Sequence, residues 1–116
     1  MQINHINLTV TDAQAARHFL EKYFGLISID GTTDDSTFVG LKDESGFLLS
    51  LMQSKKDTEI KYPKTFHIGF LHQGVERTAE IYQHLKNDGF DVKPPGYYRG
   101  TEFYFHTPFG FTIQVS

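Results

Sequence analysis

The chain contains no cysteine. That absence excludes a disulfide framework, a thiolate nucleophile and a cysteine-type zinc site. No basic run exceeds Lys55-Lys56, and the formal net charge is -3. Nucleic-acid binding calls for a basic stripe, and none is present. No apolar stretch approaches the ~20 residues of a membrane helix. After Met1 the N-terminus is polar, without the apolar segment of a secretory signal. These absences predict a cytoplasmic protein with neither a nucleic-acid nor a membrane partner.

What is present is an ordinary globular composition of 116 residues, 22% charged and 39% apolar, which predicts a single domain over 1–116. A chain of this length buries roughly two thirds of its unfolded surface, enough for one core. The main bias is aromatic, with 11 phenylalanines and 6 tyrosines. Such residues suit strands and apolar cavities alike.

Hydrophobic periodicity gives the elements. In residues 3–10, Ile6, Leu8 and Val10 alternate with His5, Asn7 and Thr9, the pattern of a strand packed on one face. Thr11 and Gln14 fit a capping box, and Ala16, Phe19, Leu20, Tyr23 and Phe24 follow at helical spacing up to Gly25, predicting a helix over about 12–24. Three strands are expected at about 26–30, 36–42 and 46–53. Residues 54–63 are charged, end in proline and read as a linker. The pattern then restarts. Phe66, Ile68 and Phe70 alternate with Thr65, His67 and Gly69. A helix is expected at about 75–87, with Val75, Ala79, Tyr82 and Leu85 on one face and Gly89 as its stop. Strands near 90–94, 101–106 and 111–116 complete the second half.

Each half therefore reads β-α-β-β-β, module 1 over about 1–53 and module 2 over about 64–116. The His-Ile pairs at 5 and 67 are 62 residues apart, and the Gly-Phe pairs at 46 and 110 are 64 apart. Near-equal offsets at two landmarks indicate duplication.

With these paired modules, His5 on the first strand, His67 on the fifth, and the ending Thr107-Pro108-Phe109-Gly110-Phe111-Thr112-Ile113-Gln114, the sequence resembles the vicinal oxygen chelate superfamily. That group includes glyoxalase I, extradiol dioxygenases, fosfomycin-resistance enzymes and bleomycin-resistance proteins. The resemblance covers essentially the whole chain. It implies an α+β fold in which two β-α-β-β-β modules form a cup-shaped curved sheet with the helices outside. It also implies a homodimer and a concave site for a small-molecule substrate or ligand.

Alternation places His5, Ser50, His67 and Gln114 on the polar sides of their strands. By the resemblance, His5, His67 and Gln114 map onto the two histidines and the glutamate of the family's metal triad. Ser50 maps onto the extra carboxylate position of glyoxalase I. The implied cofactor is a divalent metal (Fe, Mn, Ni or Zn), or none, because an amide binds a cation only as a dipole where a carboxylate would offset its charge. Glu102 shares the parity of Tyr104 and His106 and is a candidate substitute carboxylate or catalytic group. Tyr104 lies ten residues before Gln114, close to where extradiol dioxygenases carry a substrate-contacting tyrosine. Their upstream acid/base histidine has no counterpart here, since that stretch reads Pro94-Pro95-Gly96-Tyr97-Tyr98-Arg99. Arg99 is a candidate clamp for an anionic group. Asn7, Ser50 and Tyr104 are further ligand-binding candidates. His18, His72, His84 and His106 read as structural or exposed.

Two functions follow from the resemblance. One is a divergent metal-dependent enzyme, of lyase, isomerase or dioxygenase type, using His5 and His67 with Gln114 or Glu102. The other is a metal-free protein that sequesters a small organic molecule or drug, as bleomycin-resistance proteins do.

Overall fold

The computed structural model describes residues 1–29, 31–96 and 102–116. They form two compact units, Met1–Lys61 and Tyr62–Ser116. Each is a small sheet carrying one helix, so the chain is α+β.

In the first unit the strands are β1 (His5–Val10), β2 (Ile27–Ser28), β3 (Phe38–Lys42) and β4 (Leu48–Gln53), with helix α1 (Ala13–Phe24) between β1 and β2. The sheet order is β1-β4-β3-β2. β1 and β4 are parallel, and the other pairs are antiparallel. Alternation sends Leu8, Val10, Val39, Leu41, Leu49 and Leu51 into the core with Ala16, Phe19, Leu20 and Tyr23 of α1. Each large aliphatic side chain so buried contributes roughly 1.5–3 kcal/mol.

Local chemistry trims these elements relative to the sequence expectation. The cap of α1 is Asp12, whose carboxylate accepts from Ala15 N at 3.0 Å, in place of a box built on Thr11. Gln14 instead reaches the following loop, donating to the carbonyls of Thr33 and Ser36 at 2.9 and 2.8 Å. A side chain with two backbone acceptors in reach does not fold back on its own helix start. The helix ends where expected, with Gly25 in the left-handed region at φ 68 and Leu26 N donating to Leu20 O.

The second unit holds β5 (His67–Phe70), helix α2 (Val75–Asn87), β6 (Phe103–His106) and β7 (Thr112–Val115), in sheet order β5-β7-β6. β5 and β7 are parallel, and β6 and β7 antiparallel. The strand expected at 90–94 does not form. Phe90 N is taken by Leu85 O as α2 closes, the Phe90 ring packs edge-on against Phe105, and Pro94 and Pro95 have no N–H to offer a ladder.

The buried face of α2 also differs from the expectation. Thr78, Ile81 and Leu85 are buried, and Tyr82 packs on Phe103 with ring centroids 5.9 Å apart, while Val75 and Ala79 are exposed. The true stripe repeats that of α1, because Thr78, Ile81 and Leu85 stand 62 residues after Ala16, Phe19 and Tyr23. The last-strand turns repeat as well. Asp43 N donates to Phe47 O and Gly46 N to Asp43 O; 64 residues later Thr107 N donates to Phe111 O and Gly110 N to Thr107 O.

Among the described residues, no helix is long and apolar enough to cross a membrane.

Candidate functional site

Each sheet has one face packed under its helix and one face carrying the polar residues. In the first unit that second face is organised in cross-strand rows. His5 pairs with Leu48 and Leu48 with Lys42; Asn7 pairs with Ser50 and Ser50 with Gly40; Thr9 pairs with Met52 and Met52 with Phe38. Ser50 Oγ donates to Asn7 Oδ1 at 2.8 Å, so two of the expected ligand-binding residues form one hydrogen-bonded unit. Beside them Gly40 has no side chain, and Ile29 lies over it. A Cβ at Gly40 would come within 2.4 Å of Ile29 Cδ1.

In the second unit the matching rows are His67, Thr112 and His106, then Gly69, Gln114 and Tyr104. Gln114 Nε2 donates to the Glu102 carboxylate at 2.8 Å. Tyr104 is half exposed, and its ring meets the His67 ring edge-on at 5.6 Å. The fold thus brings together His67, Gln114, Glu102 and Tyr104 on one face, as the alternation predicted. Arg99 lies outside the described residues, as do Tyr97 and Tyr98.

Both histidines are held in the same sense. His5 Nδ1 is 2.7 Å from Asn4 Oδ1, and His67 Nδ1 is 2.8 Å from the Thr65 carbonyl. The Thr65 carbonyl can only accept, so His67 Nδ1 carries the proton and Nε2 keeps a bare lone pair; His5 is held the same way with Asn4 Oδ1 turned toward it. This is the arrangement by which imidazoles are oriented for a metal, with the far nitrogen donating to an oxygen. Neither Asn4 nor Thr65 stood out in the sequence. For His5 the signal available was the amide side chain next to it; for His67 there was none, because its partner is a backbone carbonyl.

Gln114 supplies an amide oxygen in the same way. Its nitrogen faces a carboxylate, which leaves Oε1 as the free end. Within the second unit the donor chemistry, one imidazole nitrogen and one amide oxygen, fits a divalent cation, though it brings no formal charge. Among the described residues, no group of three or more His, Cys, Asp or Glu is placed to hold a metal ion. A metal site here therefore depends on the glutamine.

The chain belongs to the Glyoxalase/Bleomycin resistance protein/Dioxygenase superfamily, whose model matches residues 2–115. Among solved structures it is similar to a possible glyoxalase from Bacillus cereus, at 48% identity over 99% of this chain and 97% of that one, with a TM-score of 0.86. It also resembles a glutamate-to-glutamine mutant of the fosfomycin resistance protein FosX from Listeria monocytogenes, complexed with Mn(II) and 1S,2S-dihydroxypropylphosphonic acid; identity is 24% over 98% of this chain and 90% of that one, TM-score 0.75. A glyoxalase/dioxygenase from Nostoc punctiforme matches at 22% identity over 98% and 88% of the two chains, TM-score 0.77. The last two are likenesses of fold alone. No curated protein sequence matches the chain.

Proposed function

We propose that this protein binds a small organic molecule with neighbouring oxygen atoms, and that His5, His67 and Gln114 hold a divalent metal at that site. The observation that carries the reading is the tethering of Nδ1 on both histidines, which leaves Nε2 as the untethered nitrogen of each. A bound cation would act as a Lewis acid on the oxygens of the substrate.

The remaining residues bind and orient. Asn7 and Ser50 present a linked amide and hydroxyl to a polar group of the ligand. Tyr104 offers an exposed phenol and ring beside His67. Arg99 remains the proposed clamp for an anionic group. The FosX relative is complexed with Mn(II) and a vicinal diol, which supports both halves of the reading. A neutral set rich in imidazole favours Ni(II) or Zn(II) over Mn(II), which prefers carboxylates. We place the protein in solution in the cytoplasm. The outer strands β1, β2, β5 and β6 offer edges on which a second copy can pair to give a homodimer.

The test is elemental analysis of freshly purified protein, with Ni(II), Zn(II) and Mn(II) titrations of wild type, His5→Ala and His67→Ala. The expected result is one metal per chain that is lost in either variant. Wild type that carries no metal and takes up none of the three overturns the metal site.

The second reading, a metal-free sequestering protein, is favoured by one observation. Phe38, Met52 and Tyr104 are about half exposed, at 54%, 48% and 50%, on the same faces as the polar rows. An aromatic ligand could be held there by apolar burial alone. Under that reading, chelator-treated protein gains thermal stability from an aromatic ligand and His67→Ala gains as much.

A further inference from the structure

We infer that Glu102 is a positioning residue, neither metal ligand nor acid/base: it holds the Gln114 carboxamide with the nitrogen turned toward itself and Oε1 turned out as a donor atom, and it supplies from one bond away the negative charge that Gln114 lacks. The inference rests on the metal site proposed above, and it assigns a role to Glu102, whose carboxylate meets Gln114 on that face of the second sheet.

An ionised carboxylate has only acceptors, and a primary amide has both ends. At 2.8 Å, only Nε2 can face Glu102 Oε2; the flipped amide would bring two oxygens together. The bond is charge-assisted, roughly twice the strength of a neutral one, and therefore selects one amide orientation. Glu102 is itself held on two sides. Its carbonyl accepts from Gly96 N at 3.2 Å, and the next residue, Phe103, is buried in the core. It is also half-buried, which strengthens the bond relative to one in open solvent.

The outward end of the amide is left clear. Gly69 pairs with Gln114 across the sheet, and a Cβ built on Gly69 would sit 3.8 Å from Oε1. Gly69 has no positive φ and no steric conflict that would require glycine for the backbone. The same Cβ would meet Leu71 Cγ and Cδ2 at 3.4 Å, so Leu71 borders this space and glycine keeps a second side chain out of it. A donor atom needs both conditions, a fixed direction and an uncovered lone pair. Withdrawing charge from the N–H toward a carboxylate also raises the electron density on the amide oxygen, as outer carboxylates do for ligating histidines.

The first unit shows that the module does not require this arrangement. Glu102 precedes core residue Phe103 as Phe38 precedes core residue Val39, 64 residues earlier. One copy therefore has an apolar ring where the other has the carboxylate.

Two measurements test the inference. In metal-free protein, the side-chain amide of Gln114 should show two widely separated proton resonances by NMR, one shifted downfield by the bond to Glu102. Glu102→Ala should collapse them toward free-amide values. In titrations with Ni(II), Glu102→Ala should weaken affinity about 10–100-fold. Glu102→Gln, which keeps the shape and an acceptor oxygen but not the charge, should bind Ni(II) more weakly than wild type and more tightly than Glu102→Ala. A purely structural role for Glu102 would leave the Glu102→Gln affinity at the wild-type value. Gln114 resonances unchanged in Glu102→Ala overturn the inference whatever the metal result, and so does a Glu102→Gln variant with wild-type Ni(II) affinity. Wild type that binds no metal defeats the reading of the site, while the amide spectrum still decides the orientation.

Discussion

The two units are copies in topology and differ in how they use the middle of their polar faces. In each, a parallel pair with the helix-bearing strand, β1 with β4 and β5 with β7, is flanked by an antiparallel strand, and a polar residue sits at the centre of the row. Each row also has one glycine, on opposite sides. In the first unit it is Gly40, on the antiparallel strand and covered by Ile29, and Ser50 leans the other way to Asn7. In the second it is Gly69, on the parallel strand and bordered by Leu71 at ordinary contact distance, and Gln114 leans away from it to Glu102. The tethers differ similarly. His5 depends on a neighbouring side chain, and His67 on a backbone carbonyl that cannot rotate away. The lesson is that duplication conserves the packed face, while the other face diverges by moving a glycine and a hydrogen bond. The second unit is the one organised for a donor set.

The packed faces should therefore respond alike. Leu51 and Ile113 are fully buried on the central strands β4 and β7. Leu51→Ala and Ile113→Ala should each cost about 2–5 kcal/mol in denaturant unfolding. A cost below about 1 kcal/mol at either would mean that its sheet does not pack as its copy does.

The glycines should respond in opposite directions. Gly40→Ala drives a methyl into Ile29 and should destabilise by about 1–3 kcal/mol. Gly69→Ala meets only ordinary contacts at 3.4–3.8 Å and removes a flexible residue from a strand, so it should gain about 0.5–1 kcal/mol. Equal signs in thermal unfolding would erase the contrast between the rows.

The smallest expected difference concerns the two turns. The Asp43 carboxylate accepts from Ser45 Oγ at 2.7 Å and from the Ser45 and Phe47 amides at 2.9 and 3.0 Å. The Ser45 hydroxyl first, then the backbone donors, hold its pKa below the usual carboxylate range. A carboxyl more acidic when folded stabilises fully above its unfolded pKa, near 3.9, and loses that contribution as pH falls through the lower folded value. The copy of this turn uses the Thr107 hydroxyl, which accepts from Phe109 N and donates to Phe111 O without titrating. Asp43→Thr should therefore unfold with a weaker dependence on pH below about 4. An unchanged acid limb in a pH-dependent melt would show that the carboxylate adds nothing to its turn.

Much of this architecture was legible in the sequence because alternation and repeat offsets are properties of side chains. They gave both helices, the polar faces and the company of His67, Gln114, Glu102 and Tyr104. What escaped depends on backbone groups and on register. The tether of His67 is a carbonyl, which every residue possesses. The bond between Glu102 and Gln114 needs the exact pairing of Tyr104 with Gln114, set by the turn at Thr107–Phe111 and by the left-handed Gly110 at φ 104. The absent strand at 90–94 was masked by its apolar residues, which pack singly and do not pair.

Ile29 over Gly40 has a consequence for access. It makes the Asn7–Ser50 row a shelf closed at one end by the chain itself. On the proposed function, a ligand lying on that shelf can meet Asn7 and Ser50 but is kept off the Gly40 backbone by Ile29.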